Sequence, residues 1–211
     1  MNIALYGATG TIGRRILNEA VSRSHKISAI SRHPEKTPAS EGVTPGRGDV
    51  GDVENVVETV KGHDAVVCAI TLDHLNPNAA EETVSSLTEG LKRAGVSRLL
   101  IVGGAGSLEI APGELLFHTP NFPEAWREGA LAHGKVLELF RKDGGGLEWT
   151  YFSPAALIEP GERTGEFRLG TDQLVVDEEG NSRISAEDYA VALVDELESP
   201  KHLQSRFTIG Y

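Results

Sequence analysis

The order of elements along the chain predicts an α/β protein built on a doubly wound parallel sheet, and three observations carry the prediction. The first is the start, where the apolar strand Asn2–Tyr6 runs into Gly7-Ala8-Thr9-Gly10-Thr11-Ile12-Gly13 and then into a helical segment. The second is the alternation that follows, in which short apolar runs are separated by segments with apolar residues at helical spacing. The third is that Ala65–Ile70 and Arg98–Val102 are continuously apolar, as parallel strands are when helices cover both faces. A strand that must stop, reverse and present a helix N-terminus needs glycine where φ is positive and where the backbone must stay bare, so the fold is of Rossmann type.

After the glycine turn, Ile12, Ile16, Leu17, Ala20 and Val21 share one helical stripe while Arg14, Arg15 and Glu19 lie off it. A second strand is predicted at Ile27–Ser31, then a polar stretch with Pro34, Lys36 and Pro38, a short third strand near Gly48-Asp49-Val50 and a helix from Val53 to Val60. The strand Ala65–Ile70, a helix over Ala79–Ala94 and the strand Arg98–Val102 continue the alternation. Between Gly103 and Trp126 no period survives, and a stretch that long is expected to be a lid or binding loop. A helix over Ala130–Arg141 and the strand Glu148–Phe152 follow. From about residue 155 the chain is expected to form a small extension on the substrate side: a hairpin at Gly165–Val176, a helix opening at Ser185 and a last strand Arg206–Ile209. Ser185 and Asp188 have the spacing of an N-cap and its third-position acid. No linker divides the 211 residues, so one domain over residues 1–211 is expected.

Composition narrows the function. The 39% hydrophobic and 24% charged residues are ordinary for a soluble protein. No apolar run approaches the roughly 20 residues that span a bilayer. A net charge of -11 disfavours a nucleic-acid partner, which needs a broad basic surface. No export signal is read at the N-terminus, so a cytoplasmic location is expected. The single Cys68 sits in an apolar run and reads as a buried thiol rather than a nucleophile. His118 and His133 lack partners at metal-ligand spacing, and no metal is expected. The expected partner is a small-molecule acceptor, and monomer and homodimer stay open.

The glycines have the spacing G-x-x-G-x-x-G, and a helix N-terminus with free N–H groups is a ready site for a pyrophosphate. The whole turn, Gly7, Ala8, Thr9, Gly10, Thr11, Ile12 and Gly13, is therefore assigned to a dinucleotide. Dinucleotide sites that prefer NAD place a carboxylate about 20 residues beyond the glycines, whereas an arginine there accommodates the 2′-phosphate of NADP. Here Ser31, Arg32 and Lys36 occupy that region, with no carboxylate between Glu19 and Glu35. NADPH is the predicted cofactor. Asp49 and Val50 are expected beside the adenine, and Ala69, Ile70, Thr71, Gly103, Gly104, Pro154 and Ala155 are assigned to the cofactor as well.

The glycine turn in its Gly-Ala-Thr-Gly form resembles that of atypical short-chain dehydrogenases/reductases. Val102–Leu108, Trp149–Ala155, Gly165–Asp172 and Asn181–Ser185 carry the likeness further, to the NAD(P)H-binding group of NADH-flavin reductases. A more distant similarity, through Lys135-Val136-Leu137 and Ser182–Ser185, is to biliverdin-IXβ reductase. The resemblance implies hydride transfer from NADPH to a flavin, bound as a substrate, or to a similar planar acceptor such as a quinone. The carbonyl reductases of the superfamily use a Tyr-x-x-x-Lys pair as proton donor. Four residues before Lys135 stands Leu131, so the pair is broken. Ser107 and Lys135 remain the candidate catalytic side chains, and Leu108, Leu116, Phe117 and Trp126 the candidate substrate walls. Two alternatives are a non-catalytic NADP-binding redox sensor and an atypical ketoreductase or epimerase of a small metabolite.

Overall fold

The computed structural model describes residues 1–37, 39–72 and 76–211; Pro38 of the polar stretch lies outside them. The chain runs β1 (Asn2–Tyr6), α1 (Thr11–Ser22), β2 (Lys26–Ser31), β3 (Val43–Arg47), α2 (Val53–Val60), β4 (Ala65–Cys68), α3 (Pro77–Ala94) and β5 (Arg98–Val102). It continues through β6 (Glu109–Ala111), β7 (Glu114–Leu115), α4 (Glu124–Lys142), β8 (Glu148–Ser153), β9 (Leu157–Glu159), β10 (Arg168–Gly170), β11 (Arg183–Ser185), α5 (Ala186–Glu198) and β12 (Ser205–Gly210). Eight strands form one sheet in the order β10-β12-β8-β5-β4-β1-β2-β3, and every neighbouring pair except β10 with β12 is parallel. The predicted Rossmann-type doubly wound sheet is what forms.

Two apolar layers sandwich the sheet. On one face Ile3, Leu5, Ile16 and Ala20 pack with Tyr189, Leu193 and Leu197, joining α1 and α5. On the other, Tyr6, Val56, Leu87 and Leu91 pack with Val136, Phe140 and Tyr151, joining α2, α3 and α4. Alternate strand residues supply the two layers, which is why the strands read as unbroken apolar runs. Phe152 stacks between Tyr189 and Phe207 at centroid distances of 4.0 and 3.9 Å, and the Tyr189 hydroxyl donates to the Phe152 carbonyl. Ser185 caps α5 by accepting from Asp188 N–H at 3.0 Å, as its spacing predicts.

Several boundaries differ from expectation for identifiable reasons. The third strand is Val43–Arg47, not the segment near Gly48–Val50. Its Pro45 and Gly46 look unlike a strand, but β3 lies at a sheet edge, where a missing N–H is tolerated. The fourth strand ends at Cys68, two residues before Ile70. Helix α4 begins at Glu124, so Trp126 stands on its first turn rather than in the preceding loop. That loop contains the small β6–β7 pairing and a single 3-10 turn at Leu116–His118. The hairpin expected at Gly165–Val176 does not form. Arg168–Gly170 pairs antiparallel with β12 instead, and Asp172 and Leu174 exchange main-chain bonds with Glu109.

Candidate cofactor and substrate cleft

The glycine turn is shaped by three glycines with different tasks. Gly7 has φ +85°, and a Cβ there would lie 2.2 Å from the Ala69 carbonyl oxygen. A Cβ on Gly13 would lie 2.1 Å from the Gly7 oxygen, so these two are glycine because the protein itself fills the space. Gly10 is different: its φ is -71°, and a Cβ would meet only the Gly7 oxygen at 3.4 Å, an ordinary contact. Nothing within the protein requires glycine at 10. Its bareness keeps the outer surface of the turn low, as close approach of a ligand's phosphates demands.

Helix α1 starts at this turn without a side-chain cap and without an acid in its first turn. Asp52, Asn76 and Ser185 cap α2, α3 and α5; α4 is uncapped too but carries Glu124 in its first turn, so α1 alone of the five has neither a cap nor an acid there. The first N–H groups of a helix have no intrahelical acceptor, and together with the helix dipole they favour an anion. The turn therefore fits a pyrophosphate.

At the end of β2, the Ser31 hydroxyl is buried with no partner among the described residues, while its carbonyl accepts from Gly48 N–H at 3.0 Å. Arg32 and Lys36 are exposed, and neither has an ion-pair partner among the described residues. Asp49 accepts from Gly51 N–H at 3.0 Å, and its own N–H donates to Asn55 at 2.7 Å, which fixes the Gly48–Val50 turn beside β2. Packing of Gly48 is tight, since a Cβ would lie 2.4 Å from Ile30.

Ala69, Ile70 and Thr71 follow β4, and Ala69 N–H donates to Tyr6 across the gap to β1. Gly103 N–H donates to Phe152 at 2.8 Å, holding the ends of β5 and β8 together, and Gly104 N–H donates to the Tyr151 hydroxyl at 3.3 Å. Pro154 and Ala155 are buried directly beyond β8, next to Ser153, whose hydroxyl is another buried group without a partner. The topology thus brings the assigned cofactor residues to the carboxyl edge of the sheet, where open α/β folds bind ligands.

The two candidate catalytic side chains have other engagements. Ser107 accepts, through both its carbonyl and its hydroxyl oxygen, from the Arg206 guanidinium at 2.9 and 3.0 Å. Arg206 in turn donates to Asp172 at 2.9 Å, and Arg141 pairs with the same carboxylate. Burial works against the charge on Asp172, but Arg206 and then Arg141 outweigh it and hold its carboxyl below the usual range. Lys135 is exposed and lies 3.6 Å from Glu81 of α3. Sequence reasoning missed Arg206 and Tyr151. Tyr151 is fully buried, its hydroxyl donates to the His133 carbonyl at 2.9 Å, and burial pushes its ionisation far upward. Burial also pushes the Cys68 thiol up to about 11, which keeps it inert.

Of the candidate walls, Leu116 and Phe117 fold back on the turn after β5, with main-chain bonds to Leu108 and Gly106 at 2.8 and 2.9 Å. Leu108 is fully enclosed beneath them, so it supports this wall from within rather than facing the cleft. Trp126 is 58% exposed, an unusual state for an indole. No helix among the described residues is long and apolar enough to cross a membrane, and none of them form a metal-ligand cluster.

The NAD(P)H-binding family profile matches residues 7–200. An epimerase candidate from Bacteroides thetaiotaomicron is 46% identical, with a TM-score of 0.91 over 100% of this chain and 96% of its own. An exported-protein candidate from Burkholderia pseudomallei is 43% identical, also with a TM-score of 0.91, over 100% of both chains. A candidate NADH-flavin reductase from Streptococcus pneumoniae TIGR4 is 34% identical, with a TM-score of 0.85 over 100% of this chain and 99% of its own. With its glycine turn, uncapped helix and sheet order, the chain belongs to the NAD(P)H-binding family of Rossmann-fold oxidoreductases.

Proposed function

We propose that the protein is an NADPH-dependent reductase whose hydride acceptor is a flavin or a similar planar ring system such as a quinone. Within this reading the turn Gly7–Gly13 and the uncapped start of α1 hold the pyrophosphate, and the connector that follows β2 serves the 2′-phosphate. Asp49 and Val50 lie at the adenine, and Ala69–Thr71, Gly103, Gly104, Pro154 and Ala155 at the nicotinamide half. When bound, NADPH supplies hydride at its nicotinamide ring.

The observation that carries the choice of acceptor is the missing phenol. Leu131 stands four residues before Lys135, Lys135 pairs with Glu81, and the Ser107 hydroxyl is occupied by Arg206. A ketone needs a proton delivered as its alkoxide forms, whereas a reduced flavin takes its proton from solvent after ring-to-ring transfer. The chain's contribution is then positioning: Leu116, Phe117 and Trp126 wall the acceptor, and the turn after β5 limits its depth. The test is NADPH oxidation by the wild-type protein with riboflavin, FMN and menadione. A turnover rate no higher than the uncatalysed one for all three would overturn the proposal.

A second reading, an epimerase or ketoreductase of a small metabolite, draws on the 46% identity to the epimerase candidate. Reduction of small ketones with no flavin turnover would favour it. NADP binding without any turnover would favour a sensor. A cytoplasmic location belongs to the proposal, and cell fractionation tests it.

A further inference from the structure

A cavity of about 560 Å³ opens beside the glycine turn, between α1 and the connector that follows β2. Thr9 of the turn, Arg14 of α1, and Lys36 and Thr37 of the connector bring polar groups to it from three separate elements. The chain has 31 acidic residues against 20 basic ones, yet among the described residues no aspartate or glutamate lines this cavity. Arg14 and Lys36 have no ion-pair or side-chain hydrogen-bond partner among the described residues. Thr37 is 6% exposed, and its hydroxyl is buried with no partner among the described residues. Buried hydroxyls are nearly always bonded, so an orphan of this kind calls for an explanation. Arg32, the cation that the sequence points to first, is not among the residues bounding the cavity.

Two cations without partners, the hydroxyls of Thr9, Ser22, Thr37 and Ser40 and the Asn18 amide, with no carboxylate among the described lining residues, form a receptor for a phosphate dianion. The glycine turn at the rim decides which phosphate, because a nucleotide whose pyrophosphate rests on Gly10 carries its adenosine ribose towards the end of β2. The geometry points to Arg14 and Thr37 as specificity residues for the adenosine 2′-phosphate, with Arg14 and Lys36 as its cation pair and Arg32 outside the phosphate site. Leu17, Val21 and Val43 form an apolar floor to the same cavity, which keeps water from competing at its depth. The inference rests on the proposed use of NADPH.

Calorimetric titration of the wild-type protein and of Arg14→Gln and Thr37→Val with NADPH, NADH, adenosine 2′,5′-bisphosphate and AMP tests it. Arg14→Gln is expected to weaken NADPH and the bisphosphate by about 10- to 100-fold, the range of one charge-assisted hydrogen bond. NADH and AMP should change by less than about 2-fold, since neither carries the 2′-phosphate. Thr37→Val should weaken the same two ligands by about 3- to 10-fold while raising the melting temperature of the ligand-free protein, because a costly unsatisfied hydroxyl is removed. A role in packing alone would weaken all four ligands together, or lower the melting temperature, and would overturn the assignment of Thr37. If the wild type binds NADH as tightly as NADPH, the reading of the cofactor fails and this inference with it. If the wild type prefers NADPH, and Arg14→Gln keeps that preference in full, the inference alone is overturned.

Discussion

Gly10 and Gly13 are three residues apart in one turn, and replacing them should separate ligand space from protein space. A Cβ on Gly13 would stand 2.1 Å from the Gly7 oxygen and 2.8 Å from the Gly7 carbonyl carbon. Relief requires the Gly7 carbonyl to withdraw by roughly an ångström, but Gly7 is itself wedged against the Ala69 carbonyl and accepts from Gly10 N–H at 3.1 Å. Gly13→Ala should therefore cost about 3 kcal/mol or more, at the upper end of overpacking penalties. At Gly10, φ -71° and ψ 169° suit any residue, and a Cβ finds only an ordinary contact. Gly10→Val loses some N-capping preference and gains from a less flexible unfolded chain, so its net effect on stability should lie within about 1 kcal/mol. Its isopropyl group instead rises where a pyrophosphate would approach, and NADPH affinity should fall by at least about 100-fold, or about 2.8 kcal/mol. Urea unfolding followed by circular dichroism, with NADPH titration of the folded variants, measures both. A folded Gly10→Val protein with wild-type NADPH affinity would refute the dinucleotide geometry, and wild-type stability in Gly13→Ala would refute the packing argument.

Other perturbations test separate links. Arg32→Gln should leave NADPH affinity within about 3-fold if Arg14 and Lys36 form the phosphate pair, and a loss beyond about 10-fold would return the phosphate to Arg32. Phe117→Ala and Trp126→Ala should raise KM for flavin and lower kcat together through lost ring alignment, while Ser107→Ala and Lys135→Ala stay well short of the 100-fold or greater loss of a general acid; steady-state kinetics decide between the two patterns. The Glu19 carboxyl is held below its ordinary range by its paired bonds from Arg163 against the opposing effect of burial, with Arg23 adding to the hold. Because the folded value is depressed, this stability is present above about pH 4.3 and is lost as pH falls through the folded value; unfolding between pH 3 and 6 should show a shallower pH dependence in Glu19→Gln, and an unchanged slope would contradict the assignment.

What was legible in the sequence is what local chemistry dictates. The three glycines, the stripe from Ile12 to Val21 and the Ser185–Asp188 cap depend on neighbours within a turn or two of chain, and each stands where its spacing predicts, except that Glu19, read as lying off the stripe, is buried by its distant bonds from Arg163 as well as those from Arg23. The third strand was misplaced because Pro45 and Gly46 are poor strand residues that only an edge position tolerates, and edge positions are decided by the whole sheet. The expected hairpin failed because its backbone found better partners far away, in Glu109 and in β12. The same distance hid the true situation of Ser107. Arg206 lies 99 residues further along the chain, and no local pattern announces that its guanidinium takes both oxygens of Ser107.

That pairing alters the chemistry the cleft can perform. A serine whose hydroxyl oxygen already accepts from a buried guanidinium can still donate its proton, but it is a poor base, and its position is tied to Asp172 and β12 rather than to a ligand. In the proposed reading, Leu131 four residues before Lys135 and a tethered Ser107 leave hydride transfer itself untouched, since transfer to a ring acceptor needs only two rings held in register. Cofactor choice rests on a different kind of evidence. Among the described residues the hydroxyls of Ser31, Thr37 and Ser153 and the Nε of Arg98 are buried without partners; Ser31 and Thr37 flank the connector's cations, and Ser153 ends β8. Each costs about 1–3 kcal/mol while unsatisfied. In the proposed reading, the Ser31 and Thr37 hydroxyls and the uncapped start of α1 are arranged for a ligand's phosphates, while Ser153 stands beside Pro154 and Ala155, which that reading assigns to the nicotinamide half.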